Sequence, residues 1–376
     1  MEPQAQRSIV DEFSTNRHAS QSKIQAFQSP LRHPKIGFED GNIAIVTGPD
    51  YFLVHQGLLS RRSEYLSKLV QRAICENVSL LDGRPSLQLD DSSADMVNFL
   101  QALYDGMYAT LFQHEALINL TSNRRHGLKH NAKTFPEVAS LLRLCTKYQV
   151  GYLRHQLLRG LSRSWPSTLD QWEERELKAT DSHGVYAPRN VLAHPILVIN
   201  LAREINAPEL LPSAFYDLSR SQPSEAAAGY LLDSNVHRLN DRDLYNLFRG
   251  RESVSRFLST FIVNELEGRE PSQHCRYLDQ VAPPRNVCQI AFETITFELL
   301  RDVNGVVCNR NSDPLYAIQD AELMQTRGDQ PGEENRAPCR ACEACRLDFG
   351  AVVDAARIEF WGLLPHWYGV EVENWG

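Results

Sequence analysis

Asn42-Ile43-Ala44-Ile45-Val46-Thr47-Gly48-Pro49-Asp50-Tyr51-Phe52-Leu53-Val54-His55 is the stretch on which the fold turns. Its first six residues are apolar on both alternating faces, the pattern of a strand covered on two sides. Gly48-Pro49-Asp50 is a turn signal. Tyr51 to Val54 then reads as a second strand, so the two form a hairpin. Outward from it, Leu58 to Val70 reads as helical, and Ser86-Leu87-Gln88-Leu89 as a third short strand. Ser92 caps a helix, with Asp95 three residues on, and Met96, Val97, Leu100, Leu103 and Tyr104 share its inner face. After an irregular stretch, 106–133, a further helix opens at Thr134, with Pro136 in its first turn and Glu137 completing a capping box. A partner helix carries Leu153, Leu157, Leu158 and Leu161. The strands are too short and too few for a doubly wound sheet. The expected class is α+β, a small sheet covered by helices.

Downstream of Pro166 the chain is polar and irregular to about Arg189 and then reads as almost entirely helical. Pro195 opens one helix, Asn240 caps a short one, Val254 to Ile262 marks another, and Cys288, Phe292, Ile295 and Leu299 mark the next. A last helix, about Arg346 to Leu364, is expected to stop at Pro365. Residues 1–34 are rich in Gln, Ser, Arg and His and have no apolar period, so they read as a disordered arm. The expected organisation is an arm over 1–34, a sheet-and-helix unit over 35–165, a linker over 166–189, and a mainly α-helical region over 190–376 with a cysteine cluster.

The chain has 376 residues, enough for two domains, and a net charge of -8. An acidic chain without a basic stripe argues against a nucleic-acid reader. The local basic run Arg124 to Lys133 reads as a solvated loop, with a nuclear signal or phosphate contact as the alternative. No run reaches the ~18 apolar residues that a membrane helix needs. Glu2, Asp11 and Glu12 interrupt any signal-peptide pattern. The expectation is a soluble protein of the cytoplasm or nucleus. No nucleophile elbow, phosphate loop, dinucleotide fingerprint or H-E-x-x-H motif is present, so an enzyme is not expected.

Asp40, then Phe52-x-Val54-His55-x-x-x-Leu59-x-x-x-Ser63-x-Tyr65, resembles the BTB/POZ family. Phe99-Leu100-x-x-Leu103-Tyr104-x-Gly106 resembles its helix-then-turn element. The resemblance covers about 38–164, a third of the chain. The remainder looks like the lineage-expanded fungal (basidiomycete-type) BTB proteins, through Leu201 to Glu204, Leu210 to Leu218, and the Phe-Trp-x-x-Leu-Pro element at Phe360 to Pro365. The resemblance implies a protein–protein interaction module: an adaptor or scaffold, with a homodimer and a cullin-type ubiquitin ligase among its partners. It also implies partner binding at Asp40 and His55, which form a charged pocket in related domains. The alternative for this pair is a local structural contact. The helix that crosses the dimer axis in the family has no counterpart here, because about Ser22 to Pro34 is polar and contains two prolines.

Six of the eight cysteines lie in the last 102 residues. In a reducing compartment, such clustering argues for metal or free thiols rather than disulfides. Cys339-x-x-Cys342-x-x-Cys345 could supply up to three thiolates to one structural zinc. The remainder is expected from Cys308 first, which sits in a Gly/Asn-rich break, with Cys288, Cys275 and His274 as alternatives. Cys288 falls on the apolar face of its helix, where a small hydrophobe is the simpler reading. Reduced thiols without metal, and redox chemistry, remain open. A zinc-stabilised nuclear regulator that self-associates through the BTB unit is the second functional reading, and a thiol enzyme the third.

Overall fold

In the computed structural model of the chain, the residues described are 29–76, 79–106, 134–183, 185–278, 287–301, 312–323 and 341–376. The class is mixed α+β. The first half runs β1 (Leu31–Arg32), β2 (Ile43–Thr47), β3 (Asp50–Val54), α1 (Gln56–Arg62), α2 (Glu64–Cys75), β4 (Leu80–Leu81), β5 (Arg84–Leu89), α3 (Ser93–Asp105), α4 (Phe135–Lys147) and α5 (Gly151–Ser162). The sheet order is β1-β3-β2-β5-β4. β2 and β3 are antiparallel with Thr47 opposite Asp50, so Gly48 and Pro49 form a two-residue turn. Gly48 sits at φ +53°, the left-handed region glycine enters without a Cβ penalty. β2 also pairs in parallel with β5.

The doubly apolar reading of the hairpin has a direct cause. Ile43, Ile45, Phe52 and Val54 enter the main core. Ala44, Val46, Tyr51 and Leu53 form a second small cluster on the opposite face. Met96, Leu100, Val138, Leu142, Leu153 and Leu157 close the main core from α3, α4 and α5, each fully buried.

The helical stretch read over 58–70 is a pair of helices that meet at Ser63, whose backbone is extended. The Ser63 hydroxyl donates to the Tyr148 carbonyl at 2.6 Å and accepts from the Leu66 amide at 3.1 Å, so it both caps α2 and ties it to the end of α4. Thr134 makes no side-chain cap bond, unlike Ser92, which accepts from the Asp95 amide. The last residues of the arm expected over 1–34 are part of the sheet: Leu31 and His33 donate backbone bonds to Pro49 and Tyr51, and β1 extends the sheet in parallel with β3. Residues 1–28 lie outside the described residues.

The second half is helical: α6 (Leu169–Lys178), α7 (Pro195–Glu204), α8 (Leu211–Ser219), α9 (Pro223–Ala228), a small hairpin of β6 (Tyr230–Leu232) and β7 (Asn235–His237), α10 (Asp241–Phe261), a π-turn (Ile262–Leu266), α11 (Val287–Arg301), α12 (Pro314–Leu323) and α13 (Glu343–Tyr368). The segment expected as a linker contains α6, whose inner face carries Arg175 and Glu176 as well as Trp172. These charges are neutralised inside the protein. Arg175, Arg189 and Arg220 meet Glu176, Asp217 and Asp313, with Arg175–Asp217 at 2.7 Å and Arg220–Asp313 at 2.6 Å. Arg175 and Arg220 also lie over the Trp172 ring.

Two expected helices, after Asn240 and from Val254, are one continuous α10. It crosses α13 closely, since a Cβ at Gly250 would lie 2.1 Å from the Tyr368 ring. α13 runs through Pro365 rather than stopping there. Proline has no N–H to give the carbonyl four residues back, Trp361. The Trp375 indole N–H fills that place at 2.7 Å. Trp361 in turn donates to the Ser167 carbonyl and lies between Trp172 and Trp375, with centroids 5.3 and 5.2 Å away. The main apolar core is continuous through both halves.

Candidate metal centre

The π-turn ends the long α10, and Gly268, at φ +66°, redirects the chain into a turn over Ser272–Leu278. Arg269 fixes that exit, its guanidinium 5.3 Å from the Phe292 ring of α11 and 5.1 Å from the Phe349 ring of α13. The turn presents Cys275, the first turn of α11 presents Cys288, and the start of α13 presents Cys342 as N-cap and Cys345 three residues on. The four sulfurs all lie within 4.8 Å of one another. Cys275 Sγ is 3.6 Å from Cys288 Sγ and 3.8 Å from Cys342 Sγ. These are non-bonded separations, far beyond the ~2.05 Å of a disulfide. A tetrahedral thiolate site with metal–sulfur bonds of ~2.3 Å has edges of ~3.8 Å, and the cluster is compatible with one.

Backbone amides point at three of the four sulfurs. The Ser272 amide donates to Cys345 Sγ at 3.3 Å, the Tyr277 amide to Cys275 Sγ at 3.4 Å, and the Cys342 amide to Cys288 Sγ at 3.2 Å. Burial pushes the Cys342 thiol up, but the amides of Cys345 and Arg276 and the neighbouring thiols outweigh it and bring it down to about 6. Burial raises Cys345 to about 11 and lifts Cys288 well above the ordinary thiol value. A cation among the sulfurs would favour the thiolate forms.

Of the four sequence-expected ligands, Cys342 and Cys345 are in the cluster, while Cys308 and Cys339 lie outside the described residues. Cys275 and Cys288 complete the set of four. Cys288 does lie on an apolar helix face, as expected, and is fully buried, but its position at the start of α11 points its sulfur at the other three. His274 is exposed, its amide bonded to the Ser272 hydroxyl, and stands outside the cluster. Cys145 is buried in the first half, where burial raises its thiol to about 12.

The other expected site is at the open end of the β2–β3 hairpin. His55 Nε2 is 3.2 Å from Asp40 Oδ2, and its Nδ1 is 2.8 Å from the Tyr104 hydroxyl. That hydroxyl also accepts the His55 amide at 2.9 Å. Phe38 stacks on Tyr104 with centroids 4.5 Å apart. The hydrogen bond to His55 lowers the Asp40 carboxyl. Asp40 is 85% exposed, so the pair is both a local tie and a charged surface feature. Elsewhere, a cleft of about 400 Å³ lies between Asp91, Asp95, Arg143, Lys147 and Glu204. Its charges pair across it, Arg143 with Glu204 and Lys147 with Asp91, each at 2.7 Å. Among the described residues no helix is long and apolar enough to cross a membrane. No protein-family model matches the chain, and no curated protein matches it.

Proposed function

We propose that the chain is a non-enzymatic protein-interaction scaffold of BTB/POZ type, braced in its helical half by one structural zinc. The zinc reading is carried by the convergence of Cys275, Cys288, Cys342 and Cys345. Four sulfur donors suit zinc, closed four-thiolate sites are structural, and the N–H···S bonds offset the charge of the bound thiolates. The metal would join the turn after α10, the start of α11 and the start of α13. What supports the interaction reading is the order of elements, a hairpin, two helices, a strand and three further helices, together with the exposed Asp40–His55 pair. A cullin-type scaffold is the partner that the resemblance favours.

Full-length protein purified without chelator should contain one zinc per chain by elemental analysis, and Cys342→Ser or Cys288→Ser should lose it. Metal-free protein would overturn the zinc reading. In a pull-down with a cullin, the wild-type chain should be retained and Asp40→Ala/His55→Ala should weaken retention. A wild-type chain that no cullin retains would remove the adaptor reading and leave self-association as the role of the first half.

A further inference from the structure

We infer that the four-cysteine site is an oxidation-sensitive clamp, which hydrogen peroxide opens by turning the metal ligands into two disulfides within chain segments. The inference rests on the zinc reading above and adds its regulation. Three observations carry it. The first is access: Cys342 is half-buried, while Cys275, Cys288 and Cys345 are buried, so one sulfur meets a small oxidant before the others. The second is proximity. Cys275 and Cys288 are 3.6 Å apart at sulfur. Cys342 and Cys345 are three residues apart at a helix start, where Cα atoms are roughly 5 Å apart and within disulfide range. The third is connectivity: the metal would link the 275/288 pair to the 342/345 pair. Disulfides formed inside each pair do not.

A metal-bound thiolate stays nucleophilic because the metal holds it deprotonated. Cys342 sulfur attacks one oxygen of hydrogen peroxide, breaking the O–O bond and giving a sulfenic acid and hydroxide. Cys345 thiolate then attacks that sulfur, forming the S–S bond and expelling a second hydroxide, and two solvent protons convert both to water. Zinc, left with two ligands, departs as the hydrated ion. Cys275 and Cys288 repeat the sequence. Overall, four thiolates, two peroxides and four protons give two disulfides and four waters, and Zn²⁺ is released. The oxidised chain retains two local loops and no bond across the site. The starts of α11 and α13 are then no longer joined through the metal and rely on contacts such as Phe292 on Phe349, whose centroids are 5.3 Å apart.

The test titrates full-length, zinc-loaded protein with hydrogen peroxide. Released metal is read with a chromogenic zinc chelator, and disulfides are mapped by mass spectrometry after alkylation. The expected result is loss of one zinc per chain, with Cys275–Cys288 and Cys342–Cys345 bridges, both reversed by thiol reductant with added zinc. Zinc retained while peroxide is consumed would overturn the clamp and leave the zinc reading standing. So would release accompanied by a Cys275–Cys342 bridge, which keeps the site covalently closed, or by disulfides among other cysteines only. Protein that carries no zinc before oxidant is added would overturn both.

Discussion

Arg220 shows what single residues do in this protein. Its guanidinium is 7% exposed and meets Glu176, Asp217 and Asp313 while lying over Trp172. Those carboxylates drive its already high pKa further up, against the cost of burial. Replacing it by Met leaves buried carboxylates uncompensated. We expect Arg220→Met to lose about 3–5 kcal/mol in urea unfolding; a loss below ~1 kcal/mol would mean that water already solvates the cluster. His194 works in the opposite sense. It caps α7 by accepting from the Ile196 amide and stacks on Tyr230. Burial, then the nearby Arg189 charge, lowers its pKa to about 4. Between that value and the ordinary ~6.5 of an unfolded histidine, the unfolded chain binds the extra proton, so stability falls as pH falls through this window. Replacing His194 with Gln should flatten that part of the pH–stability curve, and an unchanged slope would sink the assignment. Leu100 and Leu157 were legible because apolar period marks a buried face. The Arg220 cluster was not, because its charges cancel only in three dimensions.

At the scale of elements, β1 brings the end of the expected arm into the sheet. Removing residues 1–28 should leave the melting temperature unchanged. Removing residues 1–36 takes away β1, the His33–Phe52 ring contact and buried Ile36. Ile36 alone is worth about 1.5–3 kcal/mol. With mid-sized domains losing about 2–4 °C per kcal/mol, calorimetry should show a drop of several degrees. Equal melting of the two truncations would mean that β1 contributes nothing. Elements with a side-chain cap and an apolar stripe, such as α3 and the start of α10, could be read from the sequence. The misses share a physical cause, a tertiary partner that overrides a local signal. Trp375 makes Pro365 tolerable, and the buried carboxylates let polar α6 pack as a helix.

For the molecule as a whole, the apolar core runs continuously through both halves, and the proposed zinc would brace part of it. A metal that binds only the folded form adds to stability by mass action, about 4 kcal/mol at a thousandfold excess over its dissociation constant. A strong chelator should therefore lower the melting temperature, and zinc should restore it where magnesium does not. An unchanged transition after verified metal removal would mean that the site does not brace the fold. Half of this site was legible, since Cys342 and Cys345 declare themselves by their spacing. Cys275 and Cys288 lie 67 and 54 residues from Cys342, and no local rule links them; the path of α10, its π-turn and α11 does.

The row Trp172, Trp361 and Trp375 contains three of the five tryptophans in the chain. Indoles about 5 Å apart absorb as coupled chromophores, so the row should give an exciton signal in circular dichroism that the separated rings would lack. Trp375 belongs to the tail and Trp172 to α6, with α13 between them. The seating of the tail on the body can thus be followed optically in unlabelled protein.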